Sequence, residues 1–159
     1  MSRGRLPPSM FDTVVIATDG SETAARAVSV ALEFAAAFDA SVHALYVVEE
    51  RELAGSPEAV RAELAAALEE AAEDALSAVR DSADRSVETA VREGDPRAEI
   101  CRYADDVEAD VVALGTRGRH GDHAYLLGSV AEGVVRSCDR PVLTVRQLAA
   151  AETDVAASA

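Results

Sequence analysis

Hydrophobic positions along this chain change period several times, and the changes read as strand, helix, strand, helix. Residues 13–17 form a short β-branched run stopped by Thr18-Asp19-Gly20-Ser21. A helix is predicted to follow, with Ser21 as N-cap and Val28, Ala31, Leu32, Ala35 and Phe38 on one face. Residues 41–48 supply a second strand, and the polar stretch 49–57 breaks the pattern. From 58 to 80 an Ala-rich segment sets Val60, Leu64, Leu68, Ala71, Ala75 and Val79 at helical spacing. Residues 86–91 alternate as a third strand, predicted at a sheet edge because Glu88 and Arg92 lie within or beside it. Gly94-Asp95-Pro96 opens the next helix, with Asp95 at the N-cap, Pro96 at the first position, and Ile100, Ala104 and Val107 buried. A fourth strand (110–114), a last helix (130–137) and a fifth strand (141–146) complete the series. Residues 1–10 read as a flexible leader, 11–146 as one domain, and the small, acidic, aperiodic 147–159 as a disordered tail.

Regular alternation of strand and helix means parallel strands joined by right-handed crossovers, with helices on both faces. The predicted fold is a single doubly wound α/β domain, without internal repeat or linker. In such sheets a ligand binds outside the carboxyl ends of the strands, where strand order reverses. For five strands ordered 3-2-1-4-5 that crevice lies between strands one and four. The loops there are Thr18-Asp19-Gly20-Ser21 and the end of Val111-Val112-Ala113-Leu114-Gly115-Thr116-Arg117-Gly118. Glycines at 115 and 118 let the backbone curl its N–H groups around an anion. Gly128-Ser129 precedes the apolar-periodic Val130, Val134 and Val135 and so opens a helix, whose free N–H groups favour phosphate. Taken singly, Gly115 and Gly118 can be turn glycines, Ser129 a helix cap and Asp19 an Asx-turn residue. Their joint placement points to a nucleotide.

Composition narrows the partners. Hydrophobic residues make up 49% and aromatic ones 4%, so the core is aliphatic. No apolar run approaches the ~20 residues of a membrane span, and the basic start lacks the apolar stretch of a secretory signal, so a cytosolic location is expected. The formal charge is −14, and every basic residue is Arg. Such a surface repels nucleic acid and anionic membranes. It suits a halophilic protein in molar salt; a GC-rich genome explains Arg in place of Lys but not the acidity. Cys101 and Cys138 have no CxxC spacing and are expected as buried reduced thiols. His43, His120 and His123 form no metal pattern. A Walker loop needs a lysine the chain lacks; dinucleotide (Gly-x-Gly-x-x-Gly) and nucleophile-elbow (Gly-x-Ser-x-Gly) motifs are absent as well.

Gly115-x2-Gly118-x9-Gly128-Ser129, together with Ala17-Thr18-Asp19-Gly20-Ser21 and Arg140-Pro141-Val142-Leu143-Thr144-Val145, resembles the ATP-binding branch of the universal stress protein family over residues 10–146. The resemblance implies the strand order 3-2-1-4-5, a homodimer and ATP, or another adenine nucleotide, between strands one and four. By the same resemblance Asp19, in one turn with Thr18, faces the ribose hydroxyls, and Ala17 and Val47 line the adenine slot. Gly115, Gly118, Gly128, Ser129 and the Val130 amide hold the phosphates, with Mg²⁺ screening them. Arg117 and Arg119 offset the acid Asp122 that lies in the spacer with His120, Gly121 and His123. The last strand (142–146), at an edge, is expected to pair across the dimer axis.

The expected function is a nucleotide-dependent stress-response or interaction module with little or slow ATP hydrolysis, since no residue stands out as a base over the γ-phosphate. Two rivals remain: a ligand-free dimeric scaffold of the same fold, and a nucleotide-using transferase or ligase, for whose second substrate pocket the domain has no spare length.

Overall fold

Residues 14–16 are wholly buried, so the first strand needs a neighbour at each edge and helices on each face. The computed structural model, which describes residues 10–116 and 127–146 except for the Glu52 side chain, supplies both. In chain order the elements are β1 (Thr13–Ala17), α1 (Glu22–Phe38), β2 (Ser41–Glu49), α2 (Glu50–Ala54), α3 (Glu58–Ser82), β3 (Val87–Gly94), α4 (Pro96–Asp106), β4 (Val111–Gly115), α5 (Ser129–Ser137) and β5 (Val142–Val145). The strands form one parallel sheet of order β3-β2-β1-β4-β5, as the resemblance implied.

Alternation along the strands divides the core in two. Val14, Ile16, Val42, Ala44 and Tyr46 pack with Val28, Ala31 and Ala35 of α1 and Ala72, Leu76 and Val79 of α3. Val15, Leu45, Val112 and Leu114 face the other way, against Ile100, Tyr103 and Ala104 of α4 and Ala131 and Val134 of α5. The three phenylalanines cluster where α1 ends over the start of β1, with ring centroids 4.8–5.1 Å apart, which leaves Phe38 partly exposed. The Asp110 carboxylate ties the same edge together by accepting from the Asp12 and Thr13 amides at 2.8 and 2.9 Å.

Four local expectations change. Residues 50–54 form the short helix α2 within the stretch read as a break. In α3 the buried residues are Ala72, Ala75, Leu76 and Val79, while Val60 and Ala71 are exposed; alanine-rich helices offer a weak phase signal, and the first half of α3 contributes no fully buried residue. On α4 Tyr103 and Glu99 join Ile100 and Ala104 in the interior, whereas Val107 is the C-cap. Burial, with the Glu88 carboxylate next in weight, raises the Tyr103 phenol above its usual pKa against the opposing Arg92.

The fourth change concerns the cysteines. Cys101 and Cys138 are disulfide-bonded, with Cα atoms 5.3 Å apart, and are not the reduced thiols that their spacing implied. Sequence separation says nothing about proximity once α4 and α5 pack side by side. The expected leader (residues 1–9 of it) and the tail from 147 lie outside the described residues.

The packing of α3 gives a direct stability test. Leu76→Ala should cost ~2–5 kcal/mol, read as a lower urea midpoint at unchanged m-value. Val60→Ala, on the exposed stripe, should stay within ~0.5 kcal/mol.

Candidate functional site

β1 and β4 are neighbours, with Ile16 opposite Ala113. Their turns therefore start level, Thr18 and Gly115 each lying two residues further along. From β1 the chain turns toward α1 on one face of the sheet, and β4 is followed by α5 on the other. The crevice between them is the switch point of the sheet.

On the β1 side, local hydrogen bonds fix the turn. The buried Thr18 extends β1 by donating its amide to Leu45 O at 3.0 Å, and its Oγ1 accepts from the Gly20 amide at 3.2 Å. Asp19 Oδ1 accepts from both the Ser21 amide (2.9 Å) and Ser21 Oγ (2.5 Å), an Asx-turn. Ser21 then caps α1 through Oγ and the Ala24 amide at 3.2 Å. Gly20 has φ +75°, and a Cβ there would sit 3.1 Å from the Ala75 Cβ on α3. Both Ala17 and Val47 pack on the α4–α5 side of the sheet. Val47 lies beyond the end of β1, because Ala17 pairs with Leu45 while β2 runs on to Glu49.

On the β4 side, Thr116 joins three elements. Its amide donates to Val145 O at 3.0 Å, and its carbonyl accepts from the Gly128 amide at 2.5 Å. Gly128 is the N-cap of α5 and makes no side-chain cap; Ser129 is the exposed first helical residue, one position earlier than expected. The first intrahelical bond runs from Glu132 N to Gly128 O at 2.9 Å. The N–H groups of Ser129, Val130 and Ala131 precede it and carry the positive end of the helix dipole. Gly128's own amide already serves Thr116, so the donors of this terminus begin at Ser129. Arg117, Gly118, Arg119, His120, Gly121, Asp122 and His123 lie outside the described residues.

Three features of the neighbourhood escaped the sequence reading. Thr116 is the hinge residue just described, signalled only by its place after an apolar run. Gly133 sits inside α5 because Arg97 of α4 lies across it: a Cβ would fall 2.0 Å from Arg97 Cδ. The Cys101–Cys138 bridge fastens the far end of α5 to the middle of α4. Among the described residues no three His, Cys, Asp or Glu side chains group as a metal cage. A cavity of about 330 Å³ lies at the opposite edge of the sheet, lined by Asp39, His43, Arg85 and Glu88 among others. Its guanidinium already serves Ala40 O and Asp39.

Comparison with known proteins supplies the context. Residues 10–146 match the universal stress protein family. The universal stress protein MJ0531 of Methanocaldococcus jannaschii is 36% identical over 143 residues, covering 87% of this chain and 84% of that protein. The solved structure of MJ0577, also from Methanocaldococcus jannaschii, superposes with TM-score 0.77 at 30% identity, over 89% of this chain and 99% of that one. A universal stress protein crystallised in complex with cAMP gives TM-score 0.64 at 27% identity, over 86% and 97%.

The β1 turn yields its own test. Gly20→Ala forces a side chain into a left-handed position and against α3, and should destabilise the protein by ~1–2 kcal/mol in chemical denaturation.

Proposed function

The chain belongs to the universal stress protein family, and from that membership we propose that it binds an adenine nucleotide, ATP foremost, between β1 and β4. One observation carries the reading: an N-terminus without a side-chain cap, on α5, is hydrogen-bonded to the end of β4 beside the β1 turn. Amides so placed suit a phosphate group. The cAMP complex of a relative supports adenine recognition in a fold of this kind.

In this reading Ala17 and Val47 flank the base, and Thr18 and Asp19 take the ribose side. The Ser21 bonds fix the Asp19 carboxylate, which has acceptor capacity beyond the bonds on Oδ1. Gly115, Arg117, Gly118, Gly128, Ser129 and Val130 surround the phosphates; the glycines allow close approach and α5 gives the amides. Mg²⁺ travels with the triphosphate and meets water and phosphate oxygens more than protein. The protein works as a nucleotide-dependent interaction module in the cytosol, responding to stress, with hydrolysis slow or absent. No helix among the described residues is long and apolar enough to cross a membrane, and the −14 charge disfavours nucleic acid.

A homodimer through β5 belongs to the same proposal. β5 is an edge strand. Val112 N and Thr116 N donate to Pro141 O and Val145 O, so by the parallel alternation Val142 and Thr144 turn their backbone groups away from β4.

Two experiments test these statements. ATP with Mg²⁺ at a hundred times Kd, in high salt, should stabilise the fold by ~2.7 kcal/mol in a thermal-shift assay. Ser129→Asp should leave the unliganded protein as stable or slightly more so, because an acid favours a helix N-terminus, yet cut ATP affinity at least tenfold. No shift at millimolar ATP would favour the ligand-free scaffold, and brisk acceptor-dependent release of pyrophosphate the transferase. For the dimer, Thr144→Pro should convert a light-scattering dimer into a monomer while the fold survives; a wild-type monomer at working salt ends that part.

A further inference from the structure

The Cys101–Cys138 bridge has no part in the function proposed so far. Yet the covalent loop it closes, 37 residues apart in sequence, contains Gly115, Gly128 and Ser129. Every described element of the phosphate side of the crevice therefore lies inside one disulfide loop.

How α5 is held shows what that bridge does. The helix is nine residues long and contributes only Ala131 and Val134 as buried side chains. A helix this short has no stability of its own and depends on its packing. Three contacts join it and the chain just after it to the α4 region. Near the amino end Arg97 lies across Gly133. At the C-cap Cys138 is bonded to Cys101. Beyond it Arg140 donates to Ala109 O and, at 3.2 Å, to Asp105. Cutting the bridge leaves Arg97 and Arg140 in place, so α5 is loosened rather than released. About 14 Å of helix separates the bridge from Ser129 at 1.5 Å per residue, and a helix transmits such a change as a rigid rod.

We propose that Cys101–Cys138 is a reversible thiol–disulfide modification site that sets the order of α5 and, through Gly128–Ser129, the affinity of the crevice for nucleotide. The second half rests on the nucleotide reading above. Both cysteines are half-buried, so a small thiol can reach the sulfurs. In a reducing compartment a persistent structural disulfide is uncommon, whereas a transient, sensing one is expected. Reduction takes two electrons and two protons from a small dithiol: one thiolate attacks a cysteine sulfur, the other cysteine leaves as thiolate, and the second thiol of the reductant resolves the mixed disulfide. Oxidation by a small disulfide such as oxidised glutathione runs the same exchange in reverse. Oxidised protein binds nucleotide more tightly, because the first-turn amides are then pre-ordered.

The test uses the full chain, oxidised with glutathione disulfide or reduced with dithiothreitol, each state counted by alkylation and mass. Hydrogen exchange without nucleotide should show the α5 amides less protected after reduction, with β1 and β2 unchanged. ATP titration should show Kd at least fivefold higher in the reduced protein. Cys101→Ser and Cys138→Ser should each give the reduced values whatever the redox state. A chain that forms no bridge under glutathione disulfide overturns the proposal, and so does equal α5 protection or equal ATP affinity in the two states. Should α5 follow redox state while ATP binds neither form, the switch on α5 stands and the nucleotide reading falls.

Discussion

Everything about the crevice follows from one constraint: β1 and β4 are hydrogen-bonded neighbours whose chains depart to opposite faces of the sheet. Right-handed crossovers leave no connection to cover the gap between them. Backbone groups at its rim must then find partners or meet solvent. Thr18 N finds Leu45 O, Thr116 N finds Val145 O, and Gly128 N finds Thr116 O. The first-turn amides of α5 come next in the chain, where the ladder has ended and the helix bonds have not begun. An anion site here needs no special device, because the fold's own bonding stops at those atoms.

That economy places the site on the lightest element of the domain. α1 buries five residues and α3 four, and each spans several turns against the sheet; α5 buries two. Filling the deficit are contacts with unusual requirements: a glycine inside a helix, disfavoured by ~1 kcal/mol relative to Ala, admits Arg97, and a covalent bridge replaces missing burial. Elements that respond to ligands or modification are drawn from the less stable part of a structure. The β1 side is the opposite case. Its turn is locked by Thr18, Asp19, Ser21 and the close fit of Gly20 on Ala75. One wall of the crevice is fixed and the other adjustable.

What was legible in the sequence follows the same division. Strands buried on both faces announce themselves as apolar runs, and Ser21 and Pro96 mark helix starts through local chemistry, so the element order and the level turns could be read directly. The strand order came with the family resemblance. Phase was harder where side chains are small: the stripe of α3 was misjudged at Val60 and Ala71 because alanine carries little hydrophobic contrast. Long-range pairing was not legible at all. Nothing in the spacing of Cys101 and Cys138, or of Arg97 and Gly133, reveals that α4 and α5 lie side by side. Only the packed helices create those neighbours.

The charge of the chain constrains how phosphate could be held. With −14 overall, the long-range field opposes an anionic nucleotide. Several of its arginines are engaged with acids: Arg80 with Glu73, Arg92 with Asp106, Arg136 with Glu132 and Arg140 with Asp105. A cluster of free cations would meet competing carboxylates, and salt would screen it. Main-chain amides suffer neither problem. They add no net charge, cannot be neutralised by a neighbouring Glu, and act over hydrogen-bond distances shorter than the ~3 Å screening length of molar salt. For so acidic a surface, recognition by helix-terminal N–H groups is the form of phosphate binding least weakened by the protein's own charge. High salt, by screening the repulsive field more than the contact, should favour it further.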